Sequence, residues 1–157
     1  MSGVPDNTSL VAYHGTRERV DRLDVSKTVD GGLHFGTLEQ ATMRNSRWIY
    51  EARLDVDPLR IRRSRDRGGD WKRRVAEAKG KGYEAIVYLN RYEGVPLERI
   101  EEAIRDGVDL DRLTDREFRK RVPEARDSWI IFDNSQVKIL GITERNGPRN
   151  RPSRGST

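Results

Sequence analysis

The sequence predicts one α+β domain with a mixed or antiparallel β-sheet. Helical patterns lie between and around its strand-like segments rather than regularly after each one. A parallel sheet needs a crossover connection, usually a helix, between successive strands, so this irregular order favours an α+β fold. The apolar residues are concentrated in four compact segments, at residues 10–13, 48–56, 85–89 and 129–140.

Two short strands near the N-terminus are each followed by a glycine. The first is predicted over residues 10–13, before Gly15, and the second over residues 33–35, before Gly36. Because glycine has no side chain, it lets the backbone come close to another group. We therefore expect the edge of a ligand site where these strands end.

The middle of the chain has helix and strand patterns in turn. Thr37 can cap a helix, with Gln40 at the position of a capping box, and Asp70 can cap a second helix that stops before Gly80. The predicted elements are a helix over residues 38–47, a strand over 48–56, a helix over 71–79 and a strand over 84–89.

A helical insertion is expected at about residues 95–126. The apolar residues from Leu97 to Ile104 have helical spacing after Pro96, which suits a first turn. Further apolar residues up to Phe118 indicate one or two more short helices. Two strands joined by a turn follow, at residues 129–132 and 137–140.

The composition limits the classes of function. The chain has 157 residues, no cysteine and two histidines, which excludes disulfides and thiolate chemistry and leaves little for a transition-metal site. No run approaches the roughly 20 apolar residues of a membrane span, and the first residues lack the pattern of a signal peptide. We expect a cytoplasmic monomer whose chemistry needs no metal.

The net charge of +5 is distributed in patches. Residues 60–74 contain eight basic side chains, and residues 145–154 contain four arginines and no acid. Such runs are typical of solvated surfaces or of surfaces that face phosphate groups. Both ends are rich in polar and turn-forming residues, so we expect a flexible segment at 1–9 and a disordered basic tail at 143–157 around a domain at 10–142.

Four short motifs follow one another along the chain. They are Tyr13-His14-Gly15-Thr16, Gly32-Leu33-His34-Phe35-Gly36, the segment from Gly82 to Asn90 with Glu93-Gly94, and Trp129-Ile130-Ile131-Phe132-Asp133. In this order they resemble the ADP-ribosyltransferase superfamily, in the branch marked by a His-Tyr-acid triad that includes the poly(ADP-ribose) polymerases. The third motif looks most like the transferase domains of phage polyvalent proteins. The resemblance implies a split β-sheet around a cleft for NAD⁺.

The resemblance also implies roles for the first two motifs. In the family the first histidine contacts a ribose hydroxyl and the next glycine holds the nicotinamide amide through its backbone, roles that pass to His14 and Gly15. Thr16 and Arg17 follow and, like Asn90 of the third motif, are expected to contact NAD⁺, with Arg17 as a candidate partner of the pyrophosphate. His34 stands where the family has a tyrosine at the nicotinamide. Imidazole can stack and hydrogen-bond as a phenol does, but it also titrates near neutral pH.

Aromatic residues are expected beside the nicotinamide. Phe35 follows His34 directly, and in the family an aromatic residue from the next helix or strand completes the nicotinamide site. Trp48 and Tyr50 are the candidates, with core packing as the alternative for at least one of them.

The acid departs from the family pattern. Aligning residues 129–133 with the family's strand puts Ser128 where the polymerases have a glutamate. A carboxylate is still required, because it stabilises an oxocarbenium-like transition state and orients or deprotonates the nucleophile. Glu93, in the turn that starts at Asn90, is the first candidate, and Asp127 is the second.

These motifs lead us to expect an NAD⁺-dependent mono-ADP-ribosyltransferase, phage-type and toxin-like, that modifies a macromolecule and releases nicotinamide. The expected acceptor is a protein, and the expected location is the cytoplasm of a bacterial host cell, with delivery by a phage as one route. Hydrolysis of NAD⁺ and transfer of a phosphate from RNA are alternatives on the same fold. A module that only binds NAD⁺, ADP-ribose or nucleic acid is the alternative without catalysis.

Two further surfaces have expected roles. The basic side chains of residues 60–74 could contact the pyrophosphate of NAD⁺ or a nucleic acid, because guanidinium groups match phosphate oxygens, and the sequence leaves both open. The helical insertion, beside Glu93, is the expected acceptor-selecting surface.

Overall fold

The computed structural model describes residues 8–43 and 45–145, and within them the chain forms seven strands and four α-helices. The strands are β1 (Thr8–Thr16), β2 (Leu33–Phe35), β3 (Trp48–Val56), β4 (Ile61–Ser64), β5 (Ala85–Leu89), β6 (Asp127–Ile131) and β7 (Val137–Glu144). The helices are α1 (Leu38–Thr42), α2 (Trp71–Gly80), α3 (Leu97–Arg105) and α4 (Asp115–Arg121).

The strands form two sheets. The first sheet is antiparallel and has the order β1-β3-β7. The second sheet has the order β2-β6-β5-β4, in which β4 and β5 run parallel and the other pairs run antiparallel. One antiparallel sheet and one mixed sheet with four helices confirm the predicted α+β class.

The two sheets are joined by a β-bridge between Tyr13 of β1 and Gly36, the residue after β2. The amide of Tyr13 donates to the carbonyl oxygen of Gly36 at 2.8 Å, and the amide of Gly36 donates to the carbonyl oxygen of Tyr13 at 2.9 Å. The bridge brings the first two sequence motifs next to each other.

Three groups of buried apolar side chains hold the layers together. The first lies between the two sheets and includes Leu54 and Ile131. The second joins α2 to the second sheet through Val75 and Ile130. The third packs the helical insertion against Leu89 of β5. Burial of each large apolar side chain contributes roughly 1.5–3 kcal/mol to the stability of the fold, so this packing makes the insertion part of the fold. The members of the third group are Leu89, Val95, Phe118, Val122 and Ala125.

Two elements near the N-terminus differ from the prediction. β1 continues beyond residue 13, because His14 and Gly15 pair with Tyr50 and Ile49 of β3. Both predicted site residues therefore lie inside a strand, not beyond its end. Helix α1 ends at Thr42 rather than at residue 47, because Asn45 adopts a left-handed conformation with φ of 56° that stops a helix. The predicted capping box of Thr37 and Gln40 is present.

The basic segment at residues 60–74 also differs. It contains β4, which the sequence pattern did not indicate because two of its four side chains are charged. As an edge strand, β4 tolerates charge on its side chains, and backbone pairing with β5 holds it in place. Asp70 precedes α2 as predicted, but its φ of 65° is left-handed and its carboxylate binds Arg73 instead of capping helix amides.

The boundaries of the domain shift slightly. β1 begins at Thr8 and β7 extends to Glu144, so the folded part exceeds the predicted range of 10–142 at both ends. β6 begins at Asp127, two residues earlier than predicted. The insertion is helical as predicted, with α3 and α4. The predictions for residues 1–7 and 146–157 lie outside the described residues.

Candidate active site

A cleft of about 640 Å³ is lined by residues of β1, β2, β5 and α2 and of the loops between them. Its volume lies within the roughly 300–1,000 Å³ of small-molecule sites. Residues from three of the four sequence motifs line it together, namely His14, His34, Asn90 and Glu93. The fold thus brings these predicted site residues to one place.

The backbone of β2 orients His14. Its Nδ1 lies 2.5 Å from the carbonyl oxygen of His34, and because a carbonyl only accepts, Nδ1 carries the proton of this hydrogen bond. The ring also contacts Phe35, with 5.6 Å between the ring centroids. In the neutral ring, Nε2 is therefore the nitrogen that can accept a hydrogen bond.

His34 forms a hydrogen bond with Asp30. Its Nε2 lies 2.6 Å from Oδ2 of Asp30, and the two side chains are only 24% and 18% exposed. Burial would raise the pKa of Asp30, but the hydrogen bond and charge of His34, with the amide of Gly32, outweigh burial and lower this pKa below its usual value. Asp30 is therefore ionised at neutral pH, and it also lines the cleft.

Asn90 organises the turn that follows β5. Its Oδ1 accepts from the amides of Tyr92, at 3.0 Å, and Glu93, at 2.8 Å. Its Nδ2 donates to Oε1 of Glu93 at 3.1 Å. These bonds hold the carboxylate of Glu93 at the wall of the cleft.

Ser128 lies buried behind this turn. Its hydroxyl accepts from Nδ2 of Asn90 at 3.0 Å and donates to Oε1 of Gln40 at 2.7 Å. Gln40 in turn donates to the carbonyl oxygen of Arg126 at 3.1 Å. Ser128 thus supports the turn that carries Glu93.

Asp127, the second candidate acid, does not line the cleft. It precedes Ser128 in β6, and successive side chains of a strand point to opposite faces of the sheet. Its Oδ1 and Oδ2 accept from the guanidinium of Arg63 at 3.2 and 2.6 Å, and a guanidinium nitrogen of Arg119 lies 3.7 Å from Oδ1. Asp127, the alternative acid, therefore lies apart from the cleft, because strand alternation turns it toward Arg63 and the insertion.

The aromatic residues of the cleft are not the predicted ones. Tyr50 is 1% exposed, and its hydroxyl bonds both the amide and the carbonyl oxygen of Val20, so it belongs to the core. Trp48 packs against the same core and lies under Arg19. The aromatic side chains that line the cleft are Trp71, Tyr88 and Tyr92, the first two with ring centroids 4.6 Å apart.

A smaller pocket of about 20 Å³ adjoins the cleft and is lined by Gly15 and Phe35. A Cβ atom at Gly15 would lie 2.1 Å from Oγ of Ser46, so the close approach that this glycine permits is to the segment after α1. The amide and carbonyl of Tyr13 face Gly36, and alternate residues of a strand turn these groups to the same side. Those of Gly15 therefore also face the β2 side, where the pocket lies.

Two predicted residues at the end of β1 do not line the cleft. The hydroxyl of Thr16 donates to the carbonyl oxygen of Glu18 at 2.7 Å. Arg17 is exposed in the following loop. The prediction that they bind the dinucleotide is not supported by their positions, because β1 extends past Gly15 and carries them away from the cleft.

Most arginines of residues 60–74 bind other parts of the protein. Arg62, Arg63 and Arg73 form ion pairs with acidic side chains, and Arg74 donates to the carbonyl oxygen of Arg65. Arg67 is exposed, lines the cleft and makes no hydrogen bond or ion pair with the described residues. It is the cation of this segment that faces the cleft.

Sequence reasoning missed Asp30, Arg67 as an individual residue, and the aromatic wall of Trp71 and Tyr88. Asp30 had a detectable signal, since an acid directly before Gly31-Gly32 stands four residues ahead of His34. The aromatic residues had none, because each looks like ordinary core packing at a helix start or strand end. Their shared location depends on how α2 packs on β5.

Within residues 8–43 and 45–145, no group of three or more histidine or acidic side chains is arranged to hold a metal ion. Every helix in that part of the chain is too short or too polar to span a bilayer. No family model matches the chain, and neither a curated protein nor a solved structure matches it significantly.

Proposed function

We propose that this protein is an NAD⁺-dependent mono-ADP-ribosyltransferase, with a fold of that type, that modifies a macromolecular acceptor and releases nicotinamide. The supporting observation is convergence: His14, His34, Asn90 and Glu93 come from distant motifs and line one cleft. Two sheets joined at a bridge beside that cleft agree with the split sheet that such a site requires.

The proposed reaction breaks the bond between the nicotinamide nitrogen and C1′ of the ribose. The electron pair leaves with nicotinamide, which departs neutral, and positive charge develops on the ribose. A nucleophilic atom of the acceptor then bonds to C1′, and its proton passes to the carboxylate of Glu93. Glu93 also stabilises the developing positive charge through its own negative charge.

The other residues of the cleft would bind and orient NAD⁺. We assign the ribose contact to His14, whose ring is held through Nδ1, and the nicotinamide amide to the backbone of Gly15. Trp71 and Tyr88 replace Trp48 and Tyr50 as the aromatic wall. Arg67 replaces Arg17 as the partner of the pyrophosphate, because a guanidinium matches phosphate oxygens.

Glu93→Gln tests the proposal. The amide keeps the shape of the side chain and can still accept from Asn90, but it can neither take a proton nor supply negative charge. We expect nicotinamide release from NAD⁺, followed by chromatography, to fall by about a hundredfold or more. Glu101→Gln, the same change at an exposed site on α3, should keep the wild-type rate.

The products distinguish the alternatives. Transfer requires that labelled NAD⁺ marks an acceptor in a lysate in step with nicotinamide release. Nicotinamide release without a labelled acceptor indicates hydrolysis, and NAD⁺ binding without release indicates a binding module. A wild-type protein that neither binds NAD⁺ nor releases nicotinamide would contradict the proposal.

A further inference from the structure

A second concave surface lies on the other side of the second sheet from the cleft. This surface, the basic groove, has a volume of about 540 Å³ and separates α4 from the edge strand β4. Its lining residues are Arg63, Leu89, Asp115, Arg116, Arg119 and Lys120.

Helix α4 supplies three of the cations. Arg116, Arg119 and Lys120 are spaced at i, i+3 and i+4, which places them on one face of the helix. Cations in the last turn of a helix stabilise its negative end, so Arg119 and Lys120 have a local explanation. Arg116 has none, because it lies in the first turn, where the positive end of the helix dipole disfavours a cation.

Two carboxylates at the groove are paired with arginines, and Glu117, which belongs to the capping box of α4, interacts with the charge of Lys120. Asp115 accepts from the buried guanidinium of Arg91 at 2.8 Å, and Asp127 accepts from Arg63 at 2.6 Å. Arg116 and Lys120 are exposed and form no ion pair or hydrogen bond with the described residues. The groove therefore presents a net positive surface.

We infer that the basic groove binds the sugar-phosphate backbone of a nucleic acid. Four cations line the groove; Arg63 and Arg119 share Asp127 as a partner, whereas Arg116 and Lys120 have no acidic partner within ion-pair distance among the described residues. Clustered cations of this kind bind phosphate groups, and their binding energy comes largely from the release of counterions. The groove is lined by no aromatic residue, so it offers no surface on which bases could stack. Contacts to phosphate groups carry no sequence information, so we expect binding at this groove to be independent of nucleotide sequence.

The test measures binding of a fluorescein-labelled oligonucleotide by anisotropy at several salt concentrations. Arg116→Ala combined with Lys120→Ala should weaken binding by about tenfold at low salt and reduce the slope of log K against log salt by about 2, one for each lost phosphate contact. The loss should be the same for oligonucleotides of different sequence. Thermal unfolding should change little, because both side chains are exposed and the loss of a favourable cation at Lys120 is offset by removal of an unfavourable one at Arg116.

A matched control removes the same charge elsewhere. Lys81→Ala with Lys138→Ala changes two exposed lysines outside the groove and should leave the affinity close to that of the wild type. Residues 146–157, with their three arginines, are the same in all proteins compared. Equal losses in both double variants would mean that only net charge matters and would overturn the inference.

Two further results bear on it. Failure of the wild type to bind at low salt, or competition by polyglutamate as strong as by unlabelled oligonucleotide, would also overturn it, the latter in favour of an acidic protein partner. Nicotinamide release should be unaffected in the groove variant, because no cleft residue is changed. The binding experiment therefore tests this inference independently of the proposed transferase activity.

Discussion

Asp30 determines what the imidazole of His34 can do. With Oδ2 of Asp30 at 2.6 Å from Nε2, the ring is held by a charged partner inside the cleft, and the amide of Gly32 fixes the carboxylate from the other side at 3.1 Å. A tyrosine side chain at this position would be neutral and would not need a charged partner. We therefore regard Asp30 as a positioning residue for His34.

Asp30→Asn should release this constraint. The amide can still accept from Gly32, but it carries no negative charge to orient the ring. We expect the ¹⁵N signals of the His34 ring at pH 7 to shift, and nicotinamide release to fall by roughly tenfold to a hundredfold, as when a group that orients a functional histidine is removed.

Asp21→Asn provides the control, since its carboxylate is fully exposed and contacts Arg19 outside the cleft. Unchanged ring signals in Asp30→Asn would show that the pair does not control His34. A fall in rate with unchanged signals would show that Asp30 acts in some other way.

At the scale of elements, the loop between β1 and β2 forms one edge, or lip, of the cleft, and hydrogen bonds to a turn outside the cleft hold this loop in place. The loop between β1 and β2 carries Asp24, whose Oδ1 accepts from Nδ2 of Asn134 at 3.1 Å, while Oδ1 of Asn134 accepts from the amide of Val25 at 2.8 Å. The same loop continues to Asp30. The turn between β6 and β7 therefore holds the loop that forms the lip.

The stability of this anchor should depend on pH. Hydrogen bonds from Asn134 and Ser26 lower the pKa of Asp24 from 3.8 to about 2. Because the folded-state pKa is the lower one, the contribution of Asp24 to stability is complete above pH 4 and is lost as the pH falls through about 2.

Thermal unfolding of the wild type and Asp24→Asn can check this. The wild type should have the higher melting temperature at pH 6, and the difference should narrow between about pH 4 and pH 2. Asp21→Asn changes an exposed carboxylate of the same loop and should show a smaller difference. Equal melting temperatures at pH 6 for wild type and Asp24→Asn would contradict the anchor.

At the scale of the whole molecule, Arg91 connects the helical insertion to the second sheet. Its guanidinium is 2% exposed and donates to the carbonyl oxygens of Leu110 and Leu113 and to Asp115. The guanidinium carbon Cζ also lies over the ring of Phe118, 4.7 Å from the ring centroid. The polar and apolar contacts of the insertion thus meet at a single buried residue directly after Asn90.

Arg91→Ala should destabilise the fold by roughly 3 kcal/mol, because it removes a buried side chain and leaves two part-buried carbonyl oxygens and a part-buried carboxylate without their donor. Chemical denaturation followed by circular dichroism measures this change. Arg105→Ala, an exposed arginine at the end of α3, should change the unfolding free energy by less than about 0.5 kcal/mol. Equal stability of the two variants would show that the insertion is not held through Arg91.

This connection also changes the expectation for the insertion as an acceptor-selecting surface. Its deletion would expose Leu89 and remove Phe118 and Val122 from the third apolar group. We therefore expect loss of folding, and with it loss of any NAD⁺ cleavage. Point substitutions on α3 and α4 are the appropriate probes of acceptor choice.

Local patterns in the sequence were enough to predict the α+β class, the strand at Trp48–Val56, the capping box of α1 and the helical nature of the insertion. Each of these depends on side-chain periodicity or on a cap within a few residues. Both features are visible in the order of neighbouring residues along the chain. The same kind of local pattern made His14, His34, Asn90 and Glu93 candidates, since each belongs to a short motif beside a predicted strand end or turn.

Only the tertiary structure decided which candidates meet. Strand alternation turned Asp127 away from the cleft and Ser128 into the support of Asn90, and the extension of β1 separated Arg17 from it. Asp30 and Trp71 joined the cleft through packing between distant segments. Residue types and short spacings determine local structure, whereas the meeting of side chains far apart in the chain depends on register and packing, which no short motif encodes.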